Sequence, residues 1–241
     1  MFGKAMAIPG NEIFNSFSHL AGATASAFMT ALFVVIAAAH DTALAVAVGM
    51  TGASYILLFA SSFMYHANGA GGTGRRAWLA LDHLAIFVMM AGSYVGPLYI
   101  FAPEELRRVL LAAVALCAAA GIVLKIRLMD SPNWVSVAIY APLGMISIVP
   151  MALLWHVADT APAHLVPLSL MKALLVGGLA MYGIGGMVYA LRRPDPGPQL
   201  FGFHGLFHVC VLAGAGLHGA ALYYSIRAYP VIRECVSRVS G

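Results

Sequence analysis

The sequence predicts an all-α integral membrane protein, one bundle of seven transmembrane helices over residues 1–241. Three observations predict it. The chain is 61% hydrophobic and 9% charged, against about 25% charged in soluble domains. Its mean hydropathy is +0.88 over the whole length, so no stretch is left for a soluble domain. Seven apolar runs, each near the roughly 20 residues a bilayer core demands, alternate with short loops rich in Gly, Pro and charge.

The runs fall at about 17–39, 43–66, 78–100, 107–124, 133–155, 167–191 and 203–226. The first follows Met1 to His19, which has one lysine and no apolar core near Met1. It therefore reads as an uncleaved signal anchor, not a cleavable signal peptide. His40-Asp41-Thr42 makes a tight hairpin into the second run. Gly69-Ala70-Gly71-Gly72-Thr73-Gly74-Arg75-Arg76 separates the second and third, and Pro103-Glu104-Glu105 the third and fourth. Asp130-Ser131-Pro132-Asn133 and Arg192-Arg193-Pro194-Asp195-Pro196-Gly197-Pro198 punctuate the later runs. Pro142 and Pro150 should kink the fifth, as membrane helices tolerate. Beyond the seventh, Arg227, Arg233 and Arg238 read as a basic tail.

Loop cations set the orientation. Lys4, Arg75, Arg76, Lys125, Arg127, Arg192 and Arg193 share the N-terminal side, against Arg107, Arg108 and Lys172 opposite, seven to three without the tail. The N-terminus is expected in the cytoplasm and the C-terminus outside. The pI near 9.1 reflects these helix-end cations. No basic cluster with interleaved aromatics suggests nucleic acid. Cys117, Cys210 and Cys235 are odd in number and far apart, and suggest no disulfide framework.

Chemistry gathers at one end. The seventh run opens Phe203-His204-Gly205-Leu206-Phe207-His208. Residues four apart lie one helical turn from each other, so His204 and His208 can hold one metal ion. Antiparallel topology brings the end of the second run, Ser62 and His66, to the same depth, with Asp82 and His83 of the third. Three histidines, His66, His204 and His208, plus a water would make an open tetrahedral zinc site. Asp82 stands inside an apolar run, while the other acids fall in tails and loops. A carboxylate there costs at least about 2.5 kcal/mol unless paired or hydrated. Asp82 can orient or deprotonate a metal-bound water, and Ser62, one turn deeper than His66, can bond the water or an oxyanion. A hydrogen-bonded acid near the interface is the plainer alternative for Asp82. His83 points about 100° away from Asp82 around a helix and is left out. Glu12, Asn15 and His19 share one helix face, as supporting partners or as an amphipathic start to the first helix. His218 reads as a packing residue. His40, His156 and His164 fall at the opposite end and receive no role.

These residues resemble the hemolysin III branch of the PAQR proteins, which includes the adiponectin receptors. PAQR proteins belong with the alkaline ceramidases in the CREST group of membrane hydrolases. The resemblance runs through Asn11-Glu12-Ile13-Phe14-Asn15-Ser16-Phe17-Ser18-His19 and Ser61-Ser62-Phe63-Met64-Tyr65-His66. It continues with Leu81-Asp82-His83-Leu84-Ala85-Ile86 and Ala91-Gly92-Ser93-Tyr94, and closes with Pro196-Gly197-Pro198 and Phe201 to His208. It implies a seven-helix fold with a cytoplasmic-side zinc held by His66, His204 and His208, and Ser62 and Asp82 beside its water. It also implies a zinc-dependent hydrolase acting on a lipid amide, ceramide-like or another N-acyl lipid, with a role in lipid homeostasis. The alternatives are a membrane receptor or regulator and a pore-forming cytolysin, each with a structural zinc. Bacterial members of the branch often carry an acid where this chain has Gly205. The short, Ala-rich, nearly loop-free form suggests a bacterial inner membrane.

Overall fold

A computed structural model of the chain describes residues 10–68, 74–160 and 167–240. Lys4, His164 and the loop at 69–73 lie outside them. Ten helices form among the described residues: α1 (Gly10–Ala38), α2 (Thr42–Ala67), α3 (Arg75–Ser93), α4 (Val95–Phe101), α5 (Glu104–Arg127), α6 (Asn133–Met145), α7 (Ile148–Thr160), α8 (Leu168–Leu191), α9 (Gly202–Arg227) and α10 (Tyr229–Ser240).

Seven spans result, because α3 with α4 and α6 with α7 each make one. Both breaks follow from proline. Pro97 and Pro150 lack an N–H, so each leaves a carbonyl four residues back, at Ser93 and Ile146, without its helical partner. The turn at Ser147 also frees the Leu143 carbonyl, which accepts from the Tyr94 hydroxyl at 2.6 Å. One broken span thereby ties down the other.

Each span packs on its sequence neighbour, and α9 returns to α1. The spans close into a ring. Close approach is built in where α1 meets α2 and α9: a Cβ on Gly22 would lie 2.6 Å from Leu212 Cδ2 and 3.0 Å from Phe59. Small residues admit such contacts between membrane helices. Outward side chains such as Phe28, Val35, Val109 and Leu116 are apolar and exposed, as lipid-facing positions must be. The ring encloses a cavity of about 970 Å³ with walls from α1, α2, α3, α5, α6, α8 and α9.

Two boundaries differ from the sequence expectation. Helix α1 starts at Gly10, seven residues before the apolar run at 17. Its first turns carry Asn15, Ser16 and His19, which are buried toward the bundle, so a hydropathy boundary falls too late. Glu12 thus joins Asp82 on a spanning helix rather than lying in a tail. The basic tail is also helical. In α10, Ile232, Cys235 and Val236 are buried on one face, and the helix packs against α4, α7 and α9.

Candidate metal centre

The site is assembled by the ends of four helices. At the start of α9, the Phe203 amide donates to Asp195 Oδ1 at 2.7 Å. A carboxylate there satisfies an orphan donor and complements the positive helix end. The preceding loop folds back, with the Gly202 amide on the Pro196 carbonyl at 3.1 Å and Gly202 at φ 61°. This holds the first two turns of α9, which carry His204 and His208. The last turn of α2 brings His66.

His66, His204 and His208 each offer a ring nitrogen, and the three nitrogens lie within 4.8 Å of one another. Zinc–nitrogen bonds of about 2.0–2.1 Å would place tetrahedral ligand atoms about 3.4 Å apart. Modest side-chain rotation closes that gap. His66 and His208 are 2% and 1% exposed.

The hydrogen bonds select which nitrogens are free. His66 Nδ1 donates to Glu12 Oε2 at 2.5 Å, and Arg75 lies 3.8 Å from the other carboxylate oxygen. The Arg75 guanidinium also donates to the Tyr65 hydroxyl at 3.1 Å and lies over its ring. With its proton fixed on Nδ1, His66 presents a bare Nε2 lone pair, the usual way a carboxylate orients a metal-ligating histidine. That Nε2 and His204 Nε2 are buried with no hydrogen-bond partner. His208 Nδ1 lies 3.4 Å from Ser18 Oγ. Buried polar atoms left unpaired are costly, and a metal ion is the partner that two converging lone pairs fit.

Asp82 and Ser62 stand at the same cavity wall. Ser62 lies on α2 and Asp82 on the α3 helix packed against it. His83 turns away, its Nδ1 on the Leu79 carbonyl at 2.9 Å, with Asp82 Oδ2 3.9 Å off. His218 sits deeper, on the Leu175 carbonyl at 3.2 Å.

The structure gives Glu12, Asn15 and His19 the places that sequence reasoning left open. All three face the cluster, as their one-face spacing allowed. His19 stacks on His208, centroids 3.6 Å apart and planes within 7°. Imidazole lone pairs lie in the ring plane, so parallel rings cannot converge on one ion. His19 therefore supports His208 and is not a fourth ligand in this arrangement. Gly205, where an acid is common in the resembling branch, faces Phe14 and Phe201, each 3.1 Å from where its Cβ would be. Those rings pack edge to face at 4.7 Å, and a side chain at 205 would press on both.

The sequence model of the haemolysin-III related family matches residues 9–219. The chain is 28% identical to Hemolysin-3 of Bacillus cereus over 207 residues, covering 86% of this chain and 87% of that protein. It is 27% identical to the Hemolysin-3 homolog of Bacillus subtilis (strain 168) over 225 residues, 91% and 94% of the two chains. With seven spans of membrane length and this match over most of its residues, the chain is an integral membrane protein of the haemolysin-III related family.

Proposed function

We propose that this protein is a zinc-dependent membrane hydrolase that cleaves a lipid amide, ceramide-like or another N-acyl lipid, and serves lipid homeostasis in a bacterial inner membrane. The observation that carries this reading is a cluster of three imidazoles, His66 and His208 buried and His204 half-buried, two with buried, unpartnered Nε2 atoms, in the same large apolar cavity that Ser62 and Asp82 line. His66, His204 and His208 would hold the ion. Three protein ligands leave a position open, as in catalytic zinc sites, whereas structural sites use four. Zinc supplies Lewis acidity and brings the pKa of a water to about 7.

The chain's own residues do the rest. The apolar wall accepts the acyl chains and excludes bulk water from the amide. Ser62 Oγ donates to the carbonyl oxygen as it gains charge. Asp82 takes the proton of the attacking water on a carboxylate oxygen and returns it to the departing amine nitrogen. Glu12 holds the His66 ring in register. The distribution of loop cations supports a cytoplasmic N-terminus, with the histidine cluster on that side.

The test begins with zinc per chain in detergent-purified protein. We expect near one zinc in wild type and in Asp82→Asn, and N-acyl lipid hydrolysis in wild type only. Loss of zinc from Asp82→Asn would make the aspartate a fourth ligand and the metal structural. Absence of zinc from wild type after reconstitution would remove the hydrolase reading. The name of the relatives, Hemolysin-3, favours a second reading, membrane lysis. Dye leakage from liposomes that persists in a metal-site variant would support it.

A further inference from the structure

Outside the histidine cluster, the least explained buried group is Lys125. It lies in the last turn of α5 and is 1% exposed. Its ammonium donates to Ser136 Oγ on α6 at 2.7 Å. Among the described residues, no carboxylate is within ion-pair distance of it. The nearest acid that acts on it, Asp130, is exposed and engaged with Arg76 at 3.3 Å.

An ammonium has three donors, and one hydroxyl leaves two of them unused. Burial of an unpaired charge is among the costliest arrangements a fold can hold. The carbonyl end of α5 offers partial negative charge, less than desolvation removes. The first turns of α6, where Ser136 sits, present their positive end instead. Two positive features therefore meet at one buried point, with no carboxylate of the described residues paired to the ammonium.

That point opens on the cavity of the histidine centre. Lys125, Ser136 and Asn133 all line it, as do Asp82 and His204. Arg192, which also lines it, donates to Asn133 Oδ1 at 3.4 Å. Lys125 is near enough to His83 to act on it electrostatically. A second cation thus stands at this end of the same chamber.

We infer that Lys125, with Ser136 and Asn133, forms an anion-recognition subsite, and that the cavity's ligand is an alkyl chain carrying a phosphate or carboxylate. This rests on reading the cavity as a lipid site, and it narrows the substrate class to N-acyl lipids that also carry an acidic group. The anion would accept the two spare ammonium donors, and its chain would lie along the apolar wall.

The test is binding, by calorimetry on the purified protein in a neutral maltoside detergent, of dodecyl phosphate, the neutral dodecanamide and inorganic phosphate. Lys125→Met keeps an unbranched side chain, one atom shorter, and removes the charge. Ser136→Ala is a second, milder variant should Lys125→Met fail to fold. A charge-assisted hydrogen bond made in low dielectric predicts at least tenfold weaker dodecyl phosphate binding in Lys125→Met. Ser136→Ala should weaken it severalfold, with dodecanamide binding and zinc content unchanged in both. Equal dodecyl phosphate binding in wild type and both variants overturns the subsite but leaves the lipid cavity standing. Inorganic phosphate binding that depends on Lys125, with neither alkyl probe bound, overturns the lipid ligand and leaves a free-anion site. Failure of all three probes with wild type overturns both.

Discussion

The two ends of this bundle handle polar groups in opposite ways. At the α1–α2 hairpin, Asp41 accepts from the Ala43 amide at 2.9 Å, the Tyr99 hydroxyl at 2.6 Å and the Tyr229 hydroxyl at 3.1 Å. Every strong acceptor there is used, and the result is a clasp between a hairpin, α4 and α10. At the other end the accounts are open. Six side-chain atoms among the described residues are buried without a hydrogen-bond partner, and five belong to Asn15, His19, His66 and His204. Folding alone does not favour such a cluster, since each unpaired group costs about 1–3 kcal/mol. A closed network reads as structure and an open one as a site waiting for a ligand.

The largest effect expected from breaking this contrast is at the ligands. His208→Ala or His204→Ala should take bound zinc from near one per chain to near none, measured by elemental analysis of purified protein. Retention of a full equivalent in either variant would place the metal elsewhere. Next comes Glu12→Gln. The amide can still accept from His66 Nδ1, but without the charge that strengthens the ring as a ligand. Outer partners of this kind are worth about 10–100-fold in metal affinity, readable by competition with a chelator. An unchanged affinity would reduce Glu12 to a surface partner of Arg75. His19→Phe should be smaller still. A phenyl ring preserves the stack on His208, so zinc content should stay at the wild-type value, and a lost equivalent would make His19 a ligand.

The same contrast explains what was legible in the sequence. The spans were readable because lipid imposes about 20 apolar residues on each helix, and prolines marked the fifth as bent. The histidine–aspartate cluster was readable because its members lie near span ends whose depth follows from topology. Glu12 stayed open between a supporting partner and an amphipathic helix start, because hydropathy sees a polar start where the fold builds a buried helix face. The α10 helix escaped for the converse reason. Its apolar face is three residues wide and its outer face charged, so no apolar run announces it. Asp41 looked like a turn residue. Its phenolic partners come from residues 58 and 188 positions away, which no local pattern encodes. Lys125 was counted as an orientation signal. Only packing shows that its charge lies inside the ring.

The smallest expected effect is at the closed end, and pH separates it from the open one. The Tyr99 hydroxyl, and after it the Ala43 amide and the Tyr229 hydroxyl, hold the Asp41 carboxyl below its ordinary value. Burial, followed by the Asp41 hydrogen bond, holds the Tyr229 phenol up. The other charged groups facing the clasp are Arg107, over the Tyr99 ring at 4.7 Å, His40 beside Tyr229, and Arg233, which donates to the Ala102 carbonyl at 3.1 Å. A carboxyl with a lowered folded pKa contributes stability that is fully present above its unfolded value of about 3.9. That contribution is lost as pH falls through the lowered folded value. Asp41→Asn should therefore cost about 1 kcal/mol or less at pH 7, the range for a partly solvated hydrogen bond, and zinc content should not change. The gap between wild type and variant should close in acid. Because acid also protonates histidine ligands and expels metal, the comparison belongs on metal-free protein, by thermal unfolding in detergent at several pH values. A gap that is flat down to pH 3, or absent at pH 7, would mean that α10 is held by its apolar face alone, and that the clasp is a consequence of docking and not one of its causes.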